Sequence, residues 1–263
     1  HLVAWHLRRA LRAVEDLKAA GRWPALRAEL RLSQRELDAW GDVVARMYAP
    51  PARRGVPEQF DGYFRLRERK VDHSMTKMQY TGPVMASLRP SKLTGQADVV
   101  LMHYLFGEDF PLKAKRAAWR YYEPRCVHCS TLSRSVYAAV AAEAGLMDEA
   151  YRLFLAAAET DLAPTAECDT GIHAASLGGA WQAAVCGFGG FAVRGGRPAF
   201  RPRLPGKWRR LAFRLKWRGR TVCVSATRRA IRLRSEGGRV DVEVAGRVRR
   251  VGPAWRTFRL PAP

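Results

Sequence analysis

The sequence predicts a mainly α-helical protein that closes with a small all-β domain. Apolar residues recur three or four positions apart through most of the first 190 residues, the period of an amphipathic helix. After Gly195-Gly196 the pattern changes to short alternating runs separated by glycine turns, the mark of antiparallel strands. Positive charge gathers in that second part. The chain has 263 residues, 48% of them hydrophobic, with eight Trp. That length holds one large domain or two unequal ones. The composition excludes a disordered chain. No apolar run approaches the length of a membrane-spanning helix. His1 falls inside a helical pattern with no charged-then-apolar leader ahead of it. The expectation is a segment of a longer, cytoplasmic polypeptide.

In chain order, Val3, Leu7, Leu11 and Val14 define a first helical face. Ser33-Gln34-Arg35-Glu36 has the capping-box form, in which Ser33 covers a free N–H and Glu36 reaches back. Leu37, Trp40, Val43, Val44 and Met47 carry that helix to Tyr48, and Pro50-Pro51 stop it. Residues 51–90 read as a long irregular loop around Gln59-Phe60-Asp61-Gly62-Tyr63-Phe64, and loops of that length are commonly functional. Helices are expected at Gln96–Gly107, Leu112–Tyr122, Leu132–Gly145, Met147–Ala158 and Ile172–Phe188. Alanine dominates Tyr137–Gly145, which allows close helix packing. Gly178, Gly179 and Gly187 in the last helix each cost about 1 kcal/mol relative to Ala, so they point to close backbone approach or a kink. Strands are expected at Leu211–Lys216, Thr221–Ser225, Ile231–Arg234 and Val240–Val244. The domain division read from these patterns is 1–195 and 196–263.

The net charge is +22, and residues 197–263 hold 20 basic residues against three acidic ones, Glu236, Asp241 and Glu243. The basic residues alternate with apolar ones, as in Ile231-Arg232-Leu233-Arg234. A solvated strand face explains that pattern, and a nucleic-acid groove is the rival explanation. Five Cys, an odd number, suggest a reducing compartment without a disulfide framework. Cys126-Val127-His128-Cys129 resembles half a zinc site, but no second pair completes a tetrahedron, so no metal is expected.

Chemistry-bearing residues collect at loop-to-helix junctions: Thr94-Gly95-Gln96-Ala97-Asp98, then Tyr121-Tyr122-Glu123-Pro124 with His128-Cys129-Ser130-Thr131-Leu132-Ser133, then Thr170-Gly171-Ile172-His173-Ala174-Ala175-Ser176. Free N–H groups and the dipole make a helix start a place for an anion. Ser130, Thr131 and His173 therefore suit a phosphate or a carboxylate. Each also has a plain structural reading: an N-cap for Ser130 and Thr131, a structural hydrogen bond for His173, and a salt bridge to Arg125 for Glu123. Asp98 reads equally as a partner for a neighbouring helix.

Taken together, Gln59–Phe64, Gln96–Val99, Tyr122–Pro124, His128–Ser133 and Gly171–Gly179 with Trp181 resemble the C-terminal half of glycoside hydrolase family 65. That family holds inverting phosphorylases of maltose, trehalose, kojibiose and nigerose, and some hydrolases. The resemblance implies the second half of an (α/α)6 barrel followed by a small antiparallel β-sandwich. It places the family's general-acid Glu before residue 1. It places Ser130, Thr131, Gly171 and His173 at the phosphate-holding positions, Gln96 against the transferred glucose and Glu123 against the acceptor sugar. The implied reaction is phosphorolysis of an α-glucosyl disaccharide to β-glucose 1-phosphate and glucose. An inverting hydrolase needs two carboxylates roughly 6.5–9.5 Å apart with a water between them. A phosphorylase replaces base and water with inorganic phosphate, which is the co-substrate; no cofactor is implied. The expected partners are the disaccharide and phosphate, without membrane or nucleic acid, and a homodimer is compatible.

Two positions depart from the family. Gly95 stands where members usually carry Lys, and losing that ammonium removes roughly a few kcal/mol of charge-assisted binding unless Lys92 replaces it. Cys129 stands where members often carry Asp. Two rival readings follow: a trehalose-cleaving hydrolase of the same family, and a noncatalytic binding module with a basic tail domain.

Overall fold

A computed structural model describes residues 1–71, 89–162 and 171–261. Cys168 and Thr170 lie outside the described residues. Two compact units are present, His1–Pro51 and Ala52–Pro263.

The first unit contains α1 (Leu2–Ala19), α2 (Trp23–Leu30) and α3 (Gln34–Arg46). Ser33 caps α3 as its sequence predicts, its Oγ accepting from the Glu36 N–H at 3.1 Å. Val14, Trp23 and Leu37 are buried together, with Leu11, Leu17, Leu32 and Trp40 against them. The expected apolar face is only partly covered within this unit, since Val3 and Val43 are exposed.

In the second unit a two-residue hairpin, β1 (Ala52–Arg53) and β2 (Val56–Pro57), leads to a 3-10 turn at Tyr63–Arg65. The helices α4 (Asp98–Leu105), α5 (Leu112–Tyr122), α6 (Ser133–Ala144), α7 (Met147–Ala158) and α8 (Ala174–Gln182) follow. A π-helical segment, Ala183–Phe188, continues α8. Helix α6 is the centre: Ala138, Ala139, Val140, Ala141 and Ala142 are all buried. Its small side chains let α4, α5, α7 and α8 pack around it. It ends on Gly145, whose φ of +79° is the left-handed C-cap that glycine adopts without strain. Tyr63, Tyr122, Tyr137 and Phe188 fill the remaining core. Tyr63 fixes the long loop by donating its hydroxyl to the Lys92 carbonyl (2.6 Å), and Tyr122 by donating to that of Pro57 (2.7 Å).

A charged pair crosses this core. Lys115 of α5, with its side chain 1% exposed, donates to Glu143 of α6 at 2.6 Å, and Glu143 is 33% exposed. Such a pair is tolerated inside a protein because each charge finds the other.

The strands form two four-stranded sheets. One holds β5 (Leu211–Trp217), β6 (Arg220–Ala226), β7 (Ala230–Glu236) and β10 (Arg256–Arg259). The other holds β3 (Phe191–Arg194), β4 (Arg197–Phe200), β8 (Val240–Val244) and β9 (Arg247–Val251). Val222, Val224, Ile231 and Leu233 from one sheet share a core with Phe200, Val240, Val242, Val244 and Val251 from the other, so the sheets form a sandwich. In β7 the alternation is as expected: Ile231, Leu233 and Ser235 are buried, while Arg232 is exposed. Pairing is antiparallel except between β4 and β8, which are parallel. The three strands of the other sheet that intervene supply the long crossover a parallel pair requires. Short-range alternation carries no sign of it.

Candidate functional site

The loop Thr94–Ala97 runs beside the loop Cys126–Cys129. The Thr94 N–H donates to the Arg125 carbonyl (2.9 Å), and the Val127 N–H returns a bond to Thr94 (2.9 Å). The Cys129 thiol lies 3.4 Å from the Gly95 carbonyl, and Cys126 Sγ lies 3.9 Å from that of Gln96. Burial pushes the Cys126 thiol up to about 11, so it is protonated and acts as a small apolar group rather than a metal ligand. Among the described residues no cluster of three or more His, Cys, Asp or Glu is placed to hold a metal ion.

The second loop leads into α6. The Ser130 Oγ accepts from the Leu132 N–H at 3.3 Å, a local turn bond. Helix α6 begins at Ser133, three residues after Ser130, and its N-cap residue is Leu132, which makes no side-chain cap hydrogen bond, so neither Ser130 nor Thr131 is the N-cap. The Ser133 hydroxyl donates to the Ser130 carbonyl (2.9 Å) and meets His128 Nδ1 at 2.8 Å. A hydroxyl has one hydrogen, so His128 Nδ1 is the donor in that contact.

Helix α8 starts against this turn. The Ser176 hydroxyl donates to the Thr131 carbonyl at 3.1 Å. One turn further, a Cβ at Gly179 would collide with Ser135; two turns on, one at Gly187 would lie 2.9 Å from Ala139 Cα. Residue numbers rise together along both helices, so α6 and α8 run parallel and their N-termini share one end. This is the close approach that Gly179 and Gly187 suggest in the sequence. Gly178 meets nothing within 4 Å. Two positive dipole ends therefore face the same side.

His173 precedes α8 and is held by Asp161. Its backbone N–H donates to one carboxylate oxygen and its Nδ1 to the other, both at 2.7 Å. Those bonds keep the Asp161 carboxyl below its ordinary range and fix the orientation of the imidazole. Asp161 is a residue the sequence reading does not single out, because nothing local marks a carboxylate twelve positions away as a partner.

Of the expected site residues, Gln96, Ser130, Thr131 and His173 are thus joined through a chain of hydrogen bonds between their segments. Glu123 sits on the same loop, its carbonyl accepting from the Cys126 N–H (3.1 Å). Its carboxylate pairs with Arg152 of α7 at 2.7 Å, not with Arg125, which pairs instead with Glu68 (2.8 Å). Gly171 is exposed at a φ of +98°, linked to the cluster only through the chain leading to His173. Gln96 is exposed, and Asp98 accepts at 2.9 Å from the Nε2 of Gln59, a residue of the loop after β2 and not of a neighbouring helix. Lys92 pairs with Glu68 at 3.3 Å, so its ammonium already has a carboxylate partner.

Comparisons with known proteins agree along the chain. The glycosyl hydrolase family 65 central catalytic domain matches residues 1–182, and the C-terminal domain of that family matches residues 191–251. A kojibiose phosphorylase of Halothermothrix orenii is 37% identical over 236 residues, 85% of this chain and 30% of the relative. One from Caldanaerobacter subterraneus is 32% identical over 252 residues, 93% of this chain and 33% of the relative. A 1,2-alpha-glucosylglycerol phosphorylase of Bacillus selenitireducens is 35% identical over 219 residues, 79% of this chain and 29% of the relative. The chain spans about a third of the length of these curated relatives. A solved structure from the human microbiome, assigned as a kojibiose phosphorylase, superposes with a TM-score of 0.82 at 20% identity, covering 98% of this chain and 39% of its own. Helices followed by sheets are therefore a partial (α/α)6 barrel and its β domain, and the chain belongs to glycosyl hydrolase family 65.

Proposed function

We propose that this chain supplies the phosphate-holding and sugar-contacting part of an inverting phosphorylase acting on an α-glucosyl disaccharide of the maltose, trehalose or kojibiose type. The products are β-glucose 1-phosphate and glucose. The division of labour runs close to the sequence boundaries, with the site within residues 1–195 and the β domain of 196–263 extended by β3, Phe191–Arg194. Inorganic phosphate is the co-substrate, and the proton for the leaving sugar comes from a general acid outside these residues.

The observation that carries this reading is the pair of parallel helix starts. Phosphate arrives as an anion and needs no base. It needs donors that hold it beneath the anomeric carbon. The N-termini of α6 and α8, the Ser130 and Thr131 side chains, the Gly171 backbone and the His173 ring are donors of that kind, gathered at one end of two helices. Gln96 on the adjoining loop contacts the glucosyl unit by hydrogen bonds, and Glu123 contacts the acceptor sugar. The phosphorylase activities of the relatives support the reaction class.

The test is sugar release by the full-length enzyme with and without phosphate. Release that depends on phosphate is expected, and phosphate-independent release of glucose overturns the reading in favour of a hydrolase. In the same assay His173→Ala raises the KM for phosphate far more than that for the disaccharide. An unchanged phosphate dependence removes His173 from the site.

A further inference from the structure

Three turns of the β-sandwich meet at one end: Gly195-Gly196 between β3 and β4, Arg218-Gly219 between β5 and β6, and Gly237-Gly238 between β7 and β8. Around them is a cleft of about 500 Å³, within the range of small-molecule sites, lined by Arg197, Arg218, Arg220, Arg239, Arg250 and Asp241, with Trp217 at its side. Solvated arginines on a strand face are ordinary. Five that line one cleft are a different matter, because like charges within a Debye length repel.

The acidic residues of the segment offset only part of that repulsion. Glu236 pairs with Arg234 (2.6 Å) and Glu243 with Arg201 (3.3 Å). Asp241 is taken by Arg250 in a two-pronged pair at 2.7 and 3.0 Å. That bond first, and then the field of Arg197, keep the Asp241 carboxyl below its ordinary range. Among the described residues Arg218, Arg220 and Arg239 have no carboxylate partner. The Arg218 guanidinium instead lies over the Trp217 ring, 5.5 Å from its centroid, on a backbone with a φ of +47°. Guanidinium forks match phosphoryl oxygens in geometry as well as charge.

We propose that this cleft binds a small ligand carrying contiguous phosphoryl groups, seated among Arg218, Arg220 and Arg239. The chemistry is shared by nucleoside triphosphates and inorganic triphosphate. A nucleotide carries a base and sugar that inorganic triphosphate lacks, so comparing the two distinguishes the sources. The site is independent of the phosphate site proposed above.

Calorimetric titration of the intact chain at about 50 mM salt tests this with ATP, inorganic triphosphate, orthophosphate and a single-stranded oligonucleotide. The expected result is 1:1 binding of a triphosphate, weakened about tenfold or more by Arg218→Gln combined with Arg239→Gln. Arg249→Gln, which lies in a separate cleft with Arg247 and Arg259, leaves it unchanged. His173→Ala also leaves it unchanged. Tighter binding of ATP than of inorganic triphosphate identifies a nucleotide, and equal binding identifies a polyphosphate; both uphold the site. Four results overturn it: no binding of either triphosphate, equal weakening by Arg249→Gln, loss in His173→Ala, or an oligonucleotide that binds more than tenfold tighter with several chains per strand. Arg220→Lys, which keeps the charge but loses the fork, weakens binding less than Arg218→Gln combined with Arg239→Gln, whereas a misfolded variant is exposed by its circular dichroism.

Discussion

Glu143→Gln removes the negative half of the pair that crosses the helical core. Lys115 is then left as an ammonium with 1% of its side chain exposed and no opposite charge at 2.6 Å. Breaking a buried pair by removing one partner costs about 3–5 kcal/mol, because the remaining charge has lost water without compensation. Glu143 is 33% exposed, so water relieves part of that cost. We expect a loss of about 2–4 kcal/mol, read as a fall in Tm of roughly 5–12 °C for a chain of this size. Urea titration gives the free energy and calorimetry the Tm. Lys115→Met with Glu143→Leu replaces both charges with apolar groups of similar volume and is expected to recover most of the loss. A single variant that loses less than about 1 kcal/mol, or a double variant no better than the single, refutes the reasoning.

Three further outcomes are expected. Gly187→Ala places a Cβ 2.9 Å from Ala139 Cα, where backbone must move, and overpacking costs about 1–3 kcal/mol; Gly178→Ala meets nothing within 4 Å and gains about 0.5–1 kcal/mol from helix propensity, so denaturation midpoints move in opposite directions. The Asp161 carboxyl is depressed by its bonds to His173, so their stabilisation is fully present above the ordinary value of 3.8 and is lost as pH falls through the depressed one; His173 ring signals in NMR report the loss, and Asp161→Asn abolishes this acid step. Gly95→Lys restores an ammonium beside Gln96 that Lys92, held by Glu68, does not supply, and raises kcat/KM of the full-length enzyme by about tenfold or more.

Features written in local spacing were legible in the sequence. The Ser33 cap, the span of α6 and the alternation in β7 follow from periods of 3.6 and 2 and from side chains within one turn of each other. The glycines of α8 also announced a close approach, although only the packed helices reveal Ala139 as the neighbour. What the sequence left hidden depends on pairs distant along the chain. Asp161 reaches His173 across twelve positions, Arg152 reaches Glu123 across twenty-nine, and β4 finds β8 across three strands of the other sheet. A charge next to a carboxylate in sequence, as Arg125 is near Glu123, is a poor guide when a helix turns the two apart.

The π-helical segment sets how its two flanks, α8 before it and β3 after it, stand about the helix axis. A helix advances about 100° and 1.5 Å per residue, and the wider turn at Ala183–Phe188 absorbs one extra residue between α8 and the first strand of the sandwich. Deleting a single residue there closes the wide turn into an ordinary α-helical one and leaves α8 in phase with β3, whereas the same deletion in a regular helix would rotate the flanks by about 100°. The start of α8, where His173 meets Asp161, and the strand that follows are thus kept in phase across one spare peptide unit.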